Sequence, residues 1–432
     1  MRLEFEECTR HVLGSGLAGE IIQANAAELP AHILEDYRGR VQLIYLDPPF
    51  KTGQTFYYKR ASLKITAYED TWASDAAYAQ MLKSVLENAH TLLSDTGLIY
   101  MHVDYRTAPH VRLIMDEIFG KEHFLNEIIW HYKSGGTAKK YFARKHDNIL
   151  LYSKTKKYYF NIAASGVKRG KEARNHLKRN VDENGRVFWS IRSMGKLYKY
   201  YEDELVYPND VWLDISHIQQ RDPQRTGYDT QKPEKLLERI ILTSSQEGDL
   251  VADLFAGSGT ALAVACKQNR RFLGVENSWV GMQVMRKRLA GLKCDFAIET
   301  QQQNGAKELP YVKLRVGNKG SDWAITLLSY DAKQKEDRGD TEGIQATQQL
   351  KLSDLQYRQT ELSFGRTQRI CTADDVVYLA AGDFRGDWFE IKAQAVRNAA
   401  GLQNHLNFRA LEFPCIYIMD RFLNGWLFRI ME

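Results

Sequence analysis

The sequence contains no apolar run approaching the roughly 18 residues of a membrane-spanning helix, which excludes proteins that cross a bilayer with helices. Its first residues, "MRLEFEECTRHVLG", lack the continuous apolar stretch of a secretory leader. Cysteine is scarce: five residues, at positions 8, 266, 294, 371 and 415, an odd number with no CxxC spacing. That pattern argues against a disulfide framework or a zinc site and suits a reducing cytoplasm. No His/Cys/acid cluster points to a metal of any kind. Internal repeats are also missing. The 432 residues are 44% hydrophobic and 26% charged, the balance of a globular chain long enough for two or three domains.

The charge that is present is unevenly spread. The formal net charge is +5, yet residues 131–200 hold 18 Lys and Arg against 4 Asp and Glu, leaving −9 for the rest. The same segment carries 11 aromatic residues. Cations interleaved with aromatic rings are the footprint of a surface that neutralises phosphates and stacks on bases. A merely solvated basic face is the plainer alternative.

On either side of this block, strand and helix patterns alternate. "VQLIYLD" and "LIYMHVD" read as strands, and "YAQMLKSVLENAHTLL" has helical apolar spacing. "PHVRLIMDEIFG" is a helix opened by proline and closed by glycine. "NEIIWHY" and "NILLYS" read as strands bracketing a loop, and "DENGRVFW" as a hairpin. From Lys232 onward come helix (PEKLLERIILTSS), strand and glycine loop (GDLVADLFAGSGT), helix (ALAVACKQN), strand (RRFLGVE) and helix (WVGMQVMRKRLAGL). This order predicts an α/β fold with a doubly wound sheet. Four parts are expected: residues 1–130, a basic region at 131–215, a second α/β half at 216–300, and a smaller α+β module at 305–432.

Two short stretches stand out. In "LIYLDPPFKTG" a buried-type strand runs into Asp47, Pro48, Pro49 and Phe50, and the prolines end it because they lack a ladder donor. In "ADLFAGSGTALA", Gly257 and Gly259 lie between a strand and a helix, where glycine lets a ligand approach the backbone. The stretch is neither a full dinucleotide fingerprint, since position 262 is leucine, nor a P-loop, since the lysine is missing. Glu276, ending the next strand, is placed to accept from ribose hydroxyls.

Together these stretches resemble the S-adenosylmethionine-dependent amino-methyltransferases of DNA. The order of catalytic tetrapeptide, recognition region and cofactor loop resembles the permuted, β-class group, which includes type III modification subunits and cell-cycle-regulated adenine methyltransferases. "LDPPFKTG", "NEIIWHYKSGG", "HDNILLYSK", "VWLDI" and "TQKPEKLLERII" extend the likeness over most of residues 20–285. One departure is "IIQANAAEL", where Ala24 and Asn25 stand in place of the family's common Gly and Asp.

The resemblance implies a Rossmann-like methyltransferase sheet and assigns roles. Asp47 and the Pro48 carbonyl would hold the two N–H groups of an exocyclic base amine, in a frame stiffened by Pro49, and Phe50 would stack on the flipped base. Asp253, Phe255, Gly257, Gly259 and Thr260 would line the methionine end of S-adenosylmethionine. Glu276 would take its ribose, Asn25 would lie at its adenine, and Lys232 and Pro233 near its carboxylate. No metal is needed. DPPF resembles the adenine-N6 pattern, with cytosine-N4 transfer, an RNA substrate and an inert DNA-binding subunit as alternatives. Duplex DNA is the expected partner, contacted by Lys133, Lys139, Lys140, Arg144, Lys145, Lys168, Arg169, Arg174, Lys178 and Arg179. Analogy adds a second copy of the chain and a restriction or other subunit. In the last module, Glu390 and Lys392 form an ExK of the kind found in metal-dependent nucleases, a pattern common by chance. Contact with DNA or a subunit is the favoured reading there.

Overall fold

The computed structural model describes residues 2–6, 10–13, 18–60, 63–132, 137–170 and 177–300. Beyond these it describes 311–319, 322–331, 358–364, 376–385, 388–397, 402–403, 405–409, 414–420 and 425–431. The catalytic part is built, in chain order, from β1 (Gly19–Gln23), α1 (Ala31–Asp36), β2 (Val41–Leu46), α2 (Asp75–Leu92), β3 (Leu93–Val103), α3 (Ala108–Phe119) and β4 (Phe124–His131). It continues with β5 (His146–Ser153), α4 (Glu234–Ser244), β6 (Leu250–Asp253), α5 (Thr260–Lys267), β7 (Arg271–Glu276), α6 (Trp279–Gly291) and β8 (Phe296–Glu299).

These strands lie in the order β8-β1-β7-β6-β2-β3-β5-β4. Neighbours from β8 to β3 are parallel, and β5 runs antiparallel to both β3 and β4. All six residues of β2 are buried. Leu43 and Tyr45 pack into the layer made by α4, α5 and α6, while Val41, Ile44 and Leu46 pack into that of α1, α2 and α3. A strand covered on both faces has no polar side to show, which is why its sequence is apolar throughout.

The chain leaves β6 for β7 on one side of the sheet and β2 for β3 on the other. The β6–β2 pair is therefore the topological switch point, where carboxyl ends of parallel strands splay open over a crevice. Asp47 follows β2 and the glycine loop follows β6.

Between β5 and α4 the basic region folds as small antiparallel pieces. Lys178–Val181, Val187–Ser193 and Lys196–Tyr201 form a three-stranded sheet. Its first turn is the expected DENG hairpin, with Gly185 at φ 76° and Asp182 Oδ1 accepting from the Arg186 amide at 2.9 Å. Val211–Trp212 returns to pair with β4.

In the C-terminal module the elements that the structure describes are strands, with Leu314 and Val316, then Trp323, Ile325 and Leu327, buried on one face. One expectation needs correction. Cys266 and Cys294 are disulfide-bonded, against the reading of the cysteine pattern as that of a chain without a disulfide framework. Their 28-residue separation carries no local signal; they meet because the end of α5 packs against the loop after α6. The two ends of the chain also meet. Arg10–Leu13 pairs with β8 on one side and Trp388–Val396 on the other, and Arg2–Glu6 pairs with Gly425–Met431. Behind that seam the buried Arg286 lies 2.7 Å from His11 Nδ1 and over the ring of Tyr417. No described helix is long and apolar enough to cross a membrane.

Candidate active site

Pro48 and Pro49 stop β2 and leave Asp47 at the switch point. The turn that follows is held by Asp70, which is wholly buried. Its carboxylate accepts from the amides of Lys51 (3.0 Å) and Thr52 (2.8 Å), from the Thr52 hydroxyl, and from Trp72 Nε1 (3.0 Å). Tyr78 donates to the Pro49 carbonyl at 2.7 Å. The tetrapeptide is thus fixed from below by α2 and from the side by Asp70. Lys51 takes φ 56°, a left-handed value that these bonds stabilise.

Asp47 is half-engaged. Its Oδ2 accepts from the Lys232 ammonium, which also lies 5.2 Å from the centre of the Phe50 ring. Its Oδ1 is buried and has no hydrogen-bond partner among the described residues. A buried carboxylate oxygen left unpaired costs free energy, so such an atom marks a place where a donor is received.

Across the crevice, Gly257 (φ 51°) and Gly259 (φ 72°) turn the chain from β6 into α5. Glu276 secures the loop: Oε2 accepts from the Gly257 amide at 2.7 Å and Oε1 from the Ser278 amide at 2.8 Å. Burial raises the Glu276 carboxyl above its ordinary range, against the pull of these amides. Asp253 is pushed well up, first by burial and further by the charges of Asp47 and Glu276, while the Phe255 amide opposes.

One cavity of about 420 Å³ joins both halves. Asn25, Asp47, Pro49, Lys232, Asp253, Phe255, Gly257, Thr260 and Glu276 line it. Phe50 contacts it through Lys232, Gly259 caps α5, and Pro233 caps α4. Tyr45, Tyr68, Tyr228, Trp72 and Met81 complete the walls and were not legible as site residues. Tyr68 belongs to a hairpin, Thr55–Arg60 with Leu63–Glu69, and stacks on Tyr228.

Sequence reading also missed a polar chain beneath Phe50. Tyr45 Oη lies 2.7 Å from His102 Nδ1, His102 Nε2 lies 3.1 Å from Asp147 Oδ2, and Tyr132 donates to Asp147 Oδ1 at 3.2 Å. Burial raises the Asp147 pKa, but the His102 contact, the Lys232 charge and the Tyr132 hydroxyl outweigh it and hold the group below its ordinary value. The His102 ring is 5.9 Å from that of Phe50, so the chain braces the aromatic platform.

In the basic region Lys139, Lys140, Arg144, Lys168, Lys178 and Arg179 are exposed, and Lys145 and Arg169 half-buried. Arg179 is paired with Glu202 at 3.0 Å and Arg169 lies over Tyr200. Lys133 and Arg174 fall outside the described residues. In the C-terminal module Lys392 donates to Glu390 within one strand, and Asp383 sits opposite Glu390 in the ladder. No group of three or more metal-ligating residues occurs among the described residues.

A carboxylate and a glycine loop facing one another across a doubly wound switch point define a group-transfer site of the Rossmann-like methyltransferase class. The chain belongs to the DNA methylase family, whose N6/N4 amino-methyltransferase model matches residues 41–286. Among relatives, the type II methyltransferase M.EcaI of Enterobacter cloacae is 29% identical over 297 residues, covering 58% of this chain and 65% of that protein. The DNA adenine methyltransferase YhdJ of Escherichia coli K12 is 30% identical over 279 residues, or 64% and 82% of the two chains. The HindVI Mod subunit of Haemophilus influenzae is 23% identical and is spanned to 50% of its length. The family's methyl donor is S-adenosylmethionine, and the cavity suits it. Glu276 keeps lone pairs beyond its two amide bonds, and Gly257 leaves the backbone open on the cavity side.

Proposed function

We propose that this protein transfers a methyl group from S-adenosylmethionine to the N6 amino group of an adenine flipped out of duplex DNA. The observation that carries the reading is Asp47, a wall of the one cavity it shares with Gly257 and Glu276, with its buried Oδ1 left without a hydrogen-bond partner among the described residues. When bound, S-adenosylmethionine supplies an electrophilic methyl group on a sulfonium. The chain's own residues do the rest. Asp47 and the Pro48 carbonyl accept the two N–H groups, which draws the amine's lone pair out of ring conjugation and aims it. Phe50 carries the base on its face. Asp47 Oδ1 is the nearest acceptor for the proton the amine loses.

Adenine is favoured over cytosine by the DPPF tetrapeptide, which resembles the N6 pattern, and by the adenine specificity in the name of YhdJ. The test is incubation of the full chain with labelled S-adenosylmethionine and either duplex DNA or RNA, followed by nucleoside analysis. N6-methyladenine in DNA is expected; N4-methylcytosine, or label confined to RNA, would replace this assignment.

Lys232 has a distinct part. Its ammonium lies on Asp47 Oδ2 and over Phe50. We assign it, in addition, to the cofactor's carboxylate. Lys232→Met is expected to weaken S-adenosylmethionine binding about 10- to 100-fold by calorimetry, because one charge-assisted hydrogen bond is removed. Binding at parental affinity would remove that role.

The basic region is assigned to phosphate neutralisation. Replacing exposed Lys139, Lys140, Lys168 and Lys178 by serine should flatten the slope of log K against log salt by about 3 to 4, at roughly 0.9 for each phosphate that is no longer neutralised. An unchanged slope in a binding titration would place the DNA elsewhere.

A further inference from the structure

Most aromatic residues of the basic segment are already engaged. Tyr200 lies under Arg169, Phe188 under Lys199, and Tyr198 beside Lys196. Tyr141 is covered by the Arg144 guanidinium at 4.9 Å. Phe142 stands apart from these: it is 99% exposed, the most exposed aromatic among the described residues. A phenylalanine ring standing wholly in water forgoes the burial that its type favours, and it is surrounded in sequence by Lys139, Lys140, Arg144 and Lys145. Singly exposed apolar residues are ordinary on a surface, so the weight rests on where this one is held.

It is held at the catalytic edge. Residues 137–145 lead into β5, and the Tyr132 amide at the end of β4 donates to the Lys145 carbonyl at 3.0 Å. β5 begins beside the carboxyl end of β3, with Asn148 opposite Val103. β3 in turn lies parallel to β2, whose carboxyl end bears Asp47. Arg144 ties the loop to that edge by donating to Tyr105 Oη at 2.6 Å. The next residue, Arg106, reaches the Phe50 carbonyl at 3.4 Å. An exposed ring two residues before the Arg144 tether therefore stands on a segment anchored at the sheet edge that bears Asp47, among cations that favour a phosphate backbone.

We propose that Phe142 is an intercalating wedge: it enters the base stack of duplex DNA and fills the gap left when the target adenine swings into the Asp47 pocket. The inference rests on the proposed DNA methylation and extends it. Extrusion breaks stacking on both faces of the target, and an inserted aromatic ring restores part of it. The wedge gives no hydrogen bond to a base edge, so it acts on the flipping step rather than on sequence choice.

The test uses the full chain and a short duplex containing the methylated site mapped for the parent enzyme. Three forms of that duplex are compared: fully paired, with an abasic position opposite the target, and with 2-aminopurine in place of the target. Phe142→Ala should lose about 10- to 100-fold in kcat/KM on the paired duplex, the worth of one aromatic stack, and the 2-aminopurine fluorescence rise on binding. On the abasic duplex, where the target is already loosened, the loss should shrink to about threefold or less. Phe142→Trp should restore activity on the paired duplex. Equal losses on paired and abasic duplexes, or no loss at all, would overturn the wedge while leaving DNA methylation standing. A parent enzyme that methylates RNA, or no nucleic acid, would overturn the underlying reading and the wedge with it.

Discussion

Asp47→Asn is expected to slow methyl transfer about 10²- to 10⁴-fold while leaving S-adenosylmethionine affinity within about threefold. Asparagine keeps the shape of the side chain and leaves the end of β2 and the Asp70-held turn undisturbed. It replaces one acceptor oxygen by a donor, so the amine meets an N–H where it needs a lone pair. It also removes the charge that steadies the amine as positive charge develops on it. The cavity-lining residues Asp253, Gly257 and Glu276 belong to the neighbouring strands β6 and β7 and the loop after β6, and their hydrogen bonds do not involve Asp47. Equilibrium binding of S-adenosylmethionine and single-turnover transfer to duplex DNA separate the two effects. Parental turnover in the variant would remove Asp47 from the chemistry.

The second large effect is expected at the glycine loop, where two neighbouring substitutions should fail differently. Gly259 has φ 72°, and a Cβ there would sit 2.7 Å from Met285 Cγ in the buried core. Gly259→Ala therefore combines a left-handed backbone, about 1–2 kcal/mol, with overpacking of about 1–3 kcal/mol. The sum, about 2–5 kcal/mol, is a substantial share of the ~5–15 kcal/mol that stabilises most domains, and should appear as a marked fall in thermal midpoint. Gly257→Ala adds a Cβ no closer than 3.4 Å to Tyr228, a wall of the cavity. Its stability should fall by only the backbone contribution, about 1–2 kcal/mol, while S-adenosylmethionine binding weakens at least about tenfold because the methyl group intrudes on the ligand side. Thermal melts and ligand titrations of both variants, run together, check the contrast. A stable Gly259→Ala protein would show that α6 yields more easily than its packing implies.

What was legible in the sequence was what is local. β2 is apolar on every residue because it is covered on both faces, and the prolines that end it are read directly. α4 declares itself by Leu236, Leu237, Ile240 and Ile241, all with 0% exposure. The residues that resist reading are joined across long separations. Asp47 and Lys232 are 185 residues apart, and nothing in "TQKP" shows that its lysine would rest on the acid of "DPPF". Asp70 sits in "YEDTW" like any loop acid, yet four donors converge on it. The His102–Asp147 contact joins the tail of one strand to the head of another, a register that only sheet formation fixes. Cys266 and Cys294 are of the same kind, as is the seam in which Arg10–Leu13 is clasped between β8 and the C-terminal strands.

The arrangement of the sheet has a consequence for how such a molecule diversifies. Asp47 and the glycine turn stand on adjacent strands, so their spacing is set by one ladder, Val251–Leu43 through Asp253–Tyr45. The chain that separates them in sequence departs beyond β5 and rejoins at α4 without crossing that ladder. The part of it before Tyr228 lines no wall of the cavity and can vary in length and composition while the spacing of Asp47 and the glycine turn stays fixed.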